Sequence, residues 1–340
     1  MRILVRLMTS LNLALLTLSC SDQSIHKFEG YAQGTVYHIS YWSAGPVDLK
    51  DLQSGVIQEF AAIDKVLSNY RTDSDIEAFN SADTTTSREI DQEIVTLVRT
   101  AQTVHEASRG CYDLTVKPLF ELWGFRGETL TIPDENAIKK SMKKIGMGKL
   151  EIIDATHLRK KQPDVTIDVS SIAQGYSVER ISQLLERKGI RDYLVEIGGE
   201  LKTQGHKPGN QPWRIAVERP LPGEQTLHKI ITLPVDKAAA VMTSGTYRHY
   251  FDAGGKRYSH ILDARTGRPV THDVVSVTVI DENPVIADAW STALLCLGPR
   301  QGLEAANANG LAALFIEQKD DELTEFQSEA LKASNTLVVQ

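Results

Sequence analysis

The chain has 340 residues, of which 41% are hydrophobic and 24% charged, with a formal net charge of −7 and three cysteines. That length can bury one large core or two smaller ones. The acidic balance leaves no long basic face for nucleic acid, and three cysteines build no disulfide framework.

Residues 1–19 read as a secretory signal: Arg2 and Arg6, an apolar run from Leu11 to Leu18, then Ser19-Cys20. The run is too short to span a membrane comfortably. A cysteine behind a small residue matches a bacterial lipoprotein cleavage site. Lipid on Cys20 and a periplasmic-side anchor, at the inner membrane, are therefore expected; plain secretion is the alternative.

GTVYHISYW suggests a strand entered at Gly34. Val56, Phe60, Ile63 and Leu67 are spaced for a helix over 52–68, and Ser74 or Asp75 suits the cap of a short second one. Between them, Tyr70 is either a stacking residue for a planar ligand or, more commonly at such a position, a buried edge tyrosine. A further helix is expected over 91–108, stopped by Gly110, and another near 134–145 behind Asp134. Pro118 is expected to limit regular structure after the Cys111–Asp113 turn.

In TIDVSSIAQGY, Thr166–Val169 reads as a strand end and Ser170 or Ser171 as a helix cap. The helix start would offer free N–H groups to a phosphate. Gly198-Gly199 is either a hairpin turn or a place where backbone approaches a ligand. The densest polar stretch is Thr243–Val270: a hairpin turning at Gly254-Gly255, then a loop closed by Gly267 and Pro269. Ser244, Tyr247, Arg248, His260, Asp263 and Arg265 make it a candidate holder of a phosphate-bearing ligand. In ADAWSTALLCLG, Asp288 and Thr292 are four residues apart on one helix face, an oxygen pair suited to Mg2+ or, read plainly, a dipole partner and a packing residue. Of Cys111 and Cys296, a disulfide is possible and packing is favoured.

Taken together, GTVY, LSNYRTDSDIEAFN, YDLTVKPLFELWGF, IDVSSIAQGY, EIGGEL, TSGTYRHY, SHILDARTG and ADAWSTAL resemble the ApbE family of FAD:protein FMN transferases. They run in family order and make 20–340 one unit. The resemblance implies an α+β fold of mixed or antiparallel sheets flanked by helices, with two lobes and a cleft between them. It implies an exported enzyme that uses FAD as substrate and Mg2+ as cofactor. FMN would pass to a Thr or Ser hydroxyl of a target protein through a phosphoester, releasing AMP. Implied partners are exported targets such as subunits of sodium-pumping NADH:quinone reductase or Rnf-type complexes.

The resemblance assigns the metal to the carbonyl of Ala173 and the side chains of Asp288 and Thr292, with Ser291 assisting. It assigns flavin contacts to Gln33, Gly34, Thr35, Tyr70, Cys111, Tyr112, Asp113, Ser170, Tyr176, His260 and Ile261, and makes His260 the base for the acceptor hydroxyl. Arg248 or Arg265 could add positive charge. Gln33, Gln174, Thr246 and Ala264 depart from the usual Met, Lys, Asp and Pro. A metal-dependent FAD pyrophosphatase and a non-catalytic FAD-binding lipoprotein are the alternatives.

Overall fold

The computed structural model describes residues 24–127, 129–221, 226–247, 249–320 and 322–340. The signal stretch, Cys20 and Arg248 lie outside them. The centre is an eight-stranded sheet in the order His26–Ala32, Thr35–Trp42, Asp192–Ile197, Glu200–Gln204, Ala239–Gly245, Val274–Asp281, Ala312–Lys319 and Glu322–Gln327. Every ladder among the described strands is antiparallel. The fold is therefore α+β, with the antiparallel form of the expected sheet. Strand Val274–Asp281 is buried along seven of its eight positions, because helices cover one face and a second apolar cluster the other.

The helices of six or more residues are α1 (Leu49–Leu67), α2 (Asp75–Asn80), α3 (Gln92–Ala107), α4 (Lys117–Trp123), α5 (Glu135–Met142), α6 (Ala173–Arg187) and α7 (Pro284–Ala308). Helix α1 buries Leu52, Val56, Phe60, Ile63 and Leu67, the stripe that its spacing announces. Helices α6 and α7 pack on each other, on the sheet, and beneath α1 and α3 respectively. A small satellite core gathers Leu119 and Trp123 of α4, Ile138 of α5, and Leu262 and Ala264.

Four local expectations are corrected. Pro118 lies in the first turn of α4, where its missing N–H costs nothing. Residues 166–169 join no sheet. Neither Ser170 nor Ser171 caps α6; the cap position is Ile172, which offers no side-chain bond. Cys111 and Cys296 are disulfide-bonded across 185 residues, so their role is covalent and not packing alone. Within α7 the non-helical backbone of Gly298, at φ 75° ahead of Pro299, divides the helix into two segments.

Candidate active site

The site is built where α6 begins. The segment leading into it has no neighbouring strand, so its backbone is paired by other means. Ile167 N–H donates to Asn80 Oδ1 at 2.7 Å, and Val169 N–H donates to Asn69 Oδ1 at 3.0 Å. Asp168 N–H donates to the Leu114 carbonyl at 2.7 Å. The Asp168 carboxylate, almost fully buried, is salt-bridged to Arg126 and accepts from Ser170 N–H at 2.9 Å.

With no side-chain cap of its own, α6 is capped from α7: Gly175 N–H donates to Asp288 Oδ2 at 2.7 Å. A Cβ at Gly175 would lie 2.4 Å from the Pro284 carbonyl oxygen and 2.7 Å from Asp288 Cβ, so only glycine lets the helices meet here. Asp288 is buried, and among the described residues no cationic side chain pairs with it. Burial drives its pKa up to about 7, against the opposing pull of the Gly175 amide.

Besides the Gly175 amide, the wall of the cavity at Asp288 carries the hydroxyls of Ser244 and Thr292. Thr292 Oγ1 is 3.0 Å from Ser244 Oγ, which is 2.8 Å from Ser291 Oγ. Ser291 Oγ also donates to the Asp288 carbonyl, and Ser177 Oγ donates to the Ala173 carbonyl at 2.9 Å. A buried carboxylate short of a cation, with hydroxyl and carbonyl oxygens beside it, is the donor chemistry of a hard divalent ion such as Mg2+. The residues therefore fit the metal that the sequence implies. One other cluster of possible ligands occurs among the described residues, Cys111, Asp263 and Cys296, and its cysteines are bonded to each other.

His260 follows the hairpin of Tyr250–Ala253 and Lys256–Ser259, the one expected at Gly254-Gly255. Its Nδ1 is 2.8 Å from the His249 carbonyl oxygen. A carbonyl can only accept, so Nδ1 carries the proton and Nε2 keeps its lone pair. Burial lowers the His260 pKa to about 4, so the ring is neutral at pH 7.

Two adjoining cavities connect these groups. The larger, about 800 Å³, is lined by Gln33, Gly34, Thr35, Tyr70, Arg126 and Ala173 among others. The smaller, about 270 Å³, is lined by Cys111, Tyr112, Asp113, Ser244, His260, Ile261, Asp288 and Thr292 among others. Asp168, Ser170, Gln174 and Gly198 line both, so the two form one cleft. The smaller cavity draws Val116 and Phe120 from beside the satellite core as well as Glu200 and Thr243 from the sheet.

Most of the expected site residues thus meet in one cleft. Tyr70 is 85% exposed, with Arg126 5.3 Å from its ring centroid, and is no buried edge tyrosine. Gly198 is both a hairpin turn at φ 60° and a cavity wall, where a Cβ would meet Gln174 and Thr35. Ser291 is fully buried and reaches the cleft only through Ser244. Tyr176 lines neither cavity; its hydroxyl accepts from Arg180 at 2.8 Å, within an ion-pair group with Glu59 and Glu93. Arg265 is held by both oxygens of Asp263, which takes up its charge outside the cleft. Arg126, Asp168, Glu200 and His249 were missed as site residues. Only Asp168 carried a signal, a carboxylate inside the apolar run VTIDVSSI.

Residues 33–315 match the model of the ApbE family. The chain is 36% identical over 313 residues to the FAD:protein FMN transferase of Vibrio cholerae, covering 91% of this chain and 92% of that one. It is 33% identical to the FAD:protein FMN transferase of Escherichia coli, covering 90% and 88%. The apo crystal structure of Pseudomonas stutzeri flavinyl transferase ApbE superposes with a TM-score of 0.82 at 36% identity, over 91% of this chain and 96% of that one. The flavin transferase ApbE from Vibrio cholerae gives the same TM-score at 33% identity, over 91% and 98%. This chain belongs to the ApbE family.

Proposed function

We propose that this protein transfers FMN from FAD to a protein, as its relatives' names describe, and that it does so with Mg2+ onto a Thr or Ser hydroxyl. One observation carries the reading. A neutral His260 with a free Nε2 and a buried, cation-short Asp288 line the same small cavity, which opens into a larger one of about 800 Å³. The larger space takes a bulky nucleotide; the smaller takes the reacting phosphate and the acceptor.

In the proposed step the acceptor oxygen forms a bond to the FMN phosphorus while the bond to the bridging oxygen breaks, and AMP leaves. The acceptor proton goes to His260 Nε2. Its Nδ1–H stays on the His249 carbonyl, which holds the tautomer and the ring plane. Mg2+, held by Asp288, Thr292 and the Ala173 carbonyl, would neutralise charge on the diphosphate. Ser244 orients the Thr292 hydroxyl, and Gly175 N–H orients the Asp288 carboxylate. Lipid on Cys20 would place the enzyme at the membrane beside exported acceptors.

The test is intact-mass spectrometry of an acceptor protein after incubation with enzyme, FAD and Mg2+. The expected result is a gain equal to FMN, abolished by EDTA and by replacing the acceptor Thr with Val. Release of FMN and AMP without an adduct would replace transfer by hydrolysis. His260→Ala should lower the transfer rate about 10²–10⁴-fold with FAD affinity little changed. Equal loss of both would make His260 a binding residue.

A further inference from the structure

Segment 167–169 lies where the two cavities join. It carries Asp168, leads through Ser170 to Ala173, and so sets both walls of the cleft, yet it belongs to no sheet. Two asparagines replace the missing strand. Asn80 Nδ2 donates to the Ile167 carbonyl at 2.8 Å while its Oδ1 accepts from Ile167 N–H at 2.7 Å. Asn69 Nδ2 donates to the same carbonyl at 3.0 Å while its Oδ1 accepts from Val169 N–H at 3.0 Å. A side-chain amide offers the same donor and acceptor as a peptide unit, so the pair reproduces a short ladder.

That ladder works in only one orientation of each amide. Turned over, an NH2 group would face a backbone N–H, and both bonds would be lost. Glu77 selects the orientation. Its Oε1 accepts from Asn69 Nδ2 at 2.9 Å and from Asn80 Nδ2 at 3.0 Å. A carboxylate only accepts, so it holds the nitrogens toward itself and leaves the oxygens for the segment. Lys117 Nζ lies 2.8 Å and 2.9 Å from the two oxygens of Glu77 and offsets the charge. Downstream, Val169 C=O accepts from Ile172 N–H at 3.0 Å and Ala173 N–H at 2.8 Å, which ties the clamp to the first turn of α6.

We propose that Glu77 is a positioning residue for the cleft: by orienting the amides of Asn69 and Asn80 it fixes segment 167–169, and through it Asp168, Ser170 and the carbonyl of Ala173. Its consequence for FAD rests on the transferase reading; its consequence for the backbone does not.

The experiment compares Glu77→Ala with Glu77→Gln. Glutamine keeps a carbonyl oxygen that can accept from both asparagines; alanine keeps none. In the ligand-free protein, Glu77→Ala should speed hydrogen exchange at Ile167 and Val169 about tenfold relative to strand Val274–Asp281, the loss of roughly one hydrogen bond's worth of protection. It should weaken FAD binding in the presence of Mg2+, read by flavin fluorescence, by a similar factor. Glu77→Gln should stay near wild type in both. If Glu77→Ala does not fold, Glu77→Met removes the acceptor and keeps the volume. Unchanged exchange at Ile167 and Val169 with only a lower melting temperature overturns the proposal. A wild-type protein that fails to bind FAD overturns the transferase reading, and the exchange comparison still decides the role of Glu77.

Discussion

Of the three buried aspartates that line the cleft, Asp113, Asp168 and Asp288, the last two are provided for differently. Asp168 has a dedicated cation in Arg126 and a backbone amide from Ser170. Asp288 has one backbone amide, from Gly175, with hydroxyls nearby and no cation among the described residues. Burying a carboxylate costs several kcal/mol unless it is paired. At Asp168 the fold offsets that cost within itself. At Asp288 it does not, and the cost shows as a pKa pushed up to about 7. The first is built as structure; the second fits the cation site proposed above.

The largest effect that sharpens this contrast comes from Asp288→Asn. The amide oxygen still accepts from Gly175 N–H, but the charge is gone. Mg2+-dependent transfer should fall about 10²–10³-fold, the scale for losing one fixed electrostatic group at a reacting phosphate. The metal-free protein should become more stable at pH 8, by about 2 kcal/mol or more, because an unpaired buried charge has been removed. Urea titration in EDTA reads the second effect. A variant that loses both activity and metal-free stability would mean that Asp288 serves the fold.

Arg126→Met makes the opposite test at the other aspartate. It leaves Asp168 buried without its cation and should destabilise the protein by about 3 kcal/mol. The loss should be the same with EDTA and with Mg2+. Wild-type stability in this variant would show that the Arg126–Asp168 pair is incidental, and the contrast would collapse.

What could be read from the sequence follows from how local each feature is. The i, i+4 spacing of Asp288 and Thr292 fixes one helix face whatever surrounds it, and the α1 stripe does the same for its core face. His26–Ala32 was missed because only Phe28 is buried in it, which leaves no alternation to detect. Arg126 and Asp168 are 42 residues apart, and Cys111 and Cys296 are 185 apart, so no periodicity links them. Thr166–Val169 was half legible. Its β-branched residues suggest a strand, but not that side-chain amides replace the neighbouring strand.

The smallest expected effect is a pH dependence, and it separates Asp288 from His260 within the same cavity. Asp288 has a folded pKa of about 7 against an ordinary 3.8, so the folded state binds its proton more tightly. Its contribution to stability is present at low pH and is lost as pH rises from 3.8 through 7. His260 has a folded pKa of about 4 against an ordinary 6.5, so the folded state disfavours its proton. Its contribution is present above pH 6.5 and is lost as pH falls toward 4. In the metal-free wild type the two slopes oppose each other between pH 4 and pH 6.5, and each masks the other. Single variants uncover them. The stability gained by Asp288→Asn over wild type should grow with pH, and the deficit of His260→Gln should also grow with pH. Urea midpoints in EDTA across this range decide it: parallel curves for wild type and Asp288→Asn would mean that Asp288 is already neutralised within the fold, and the contrast with Asp168 would fall.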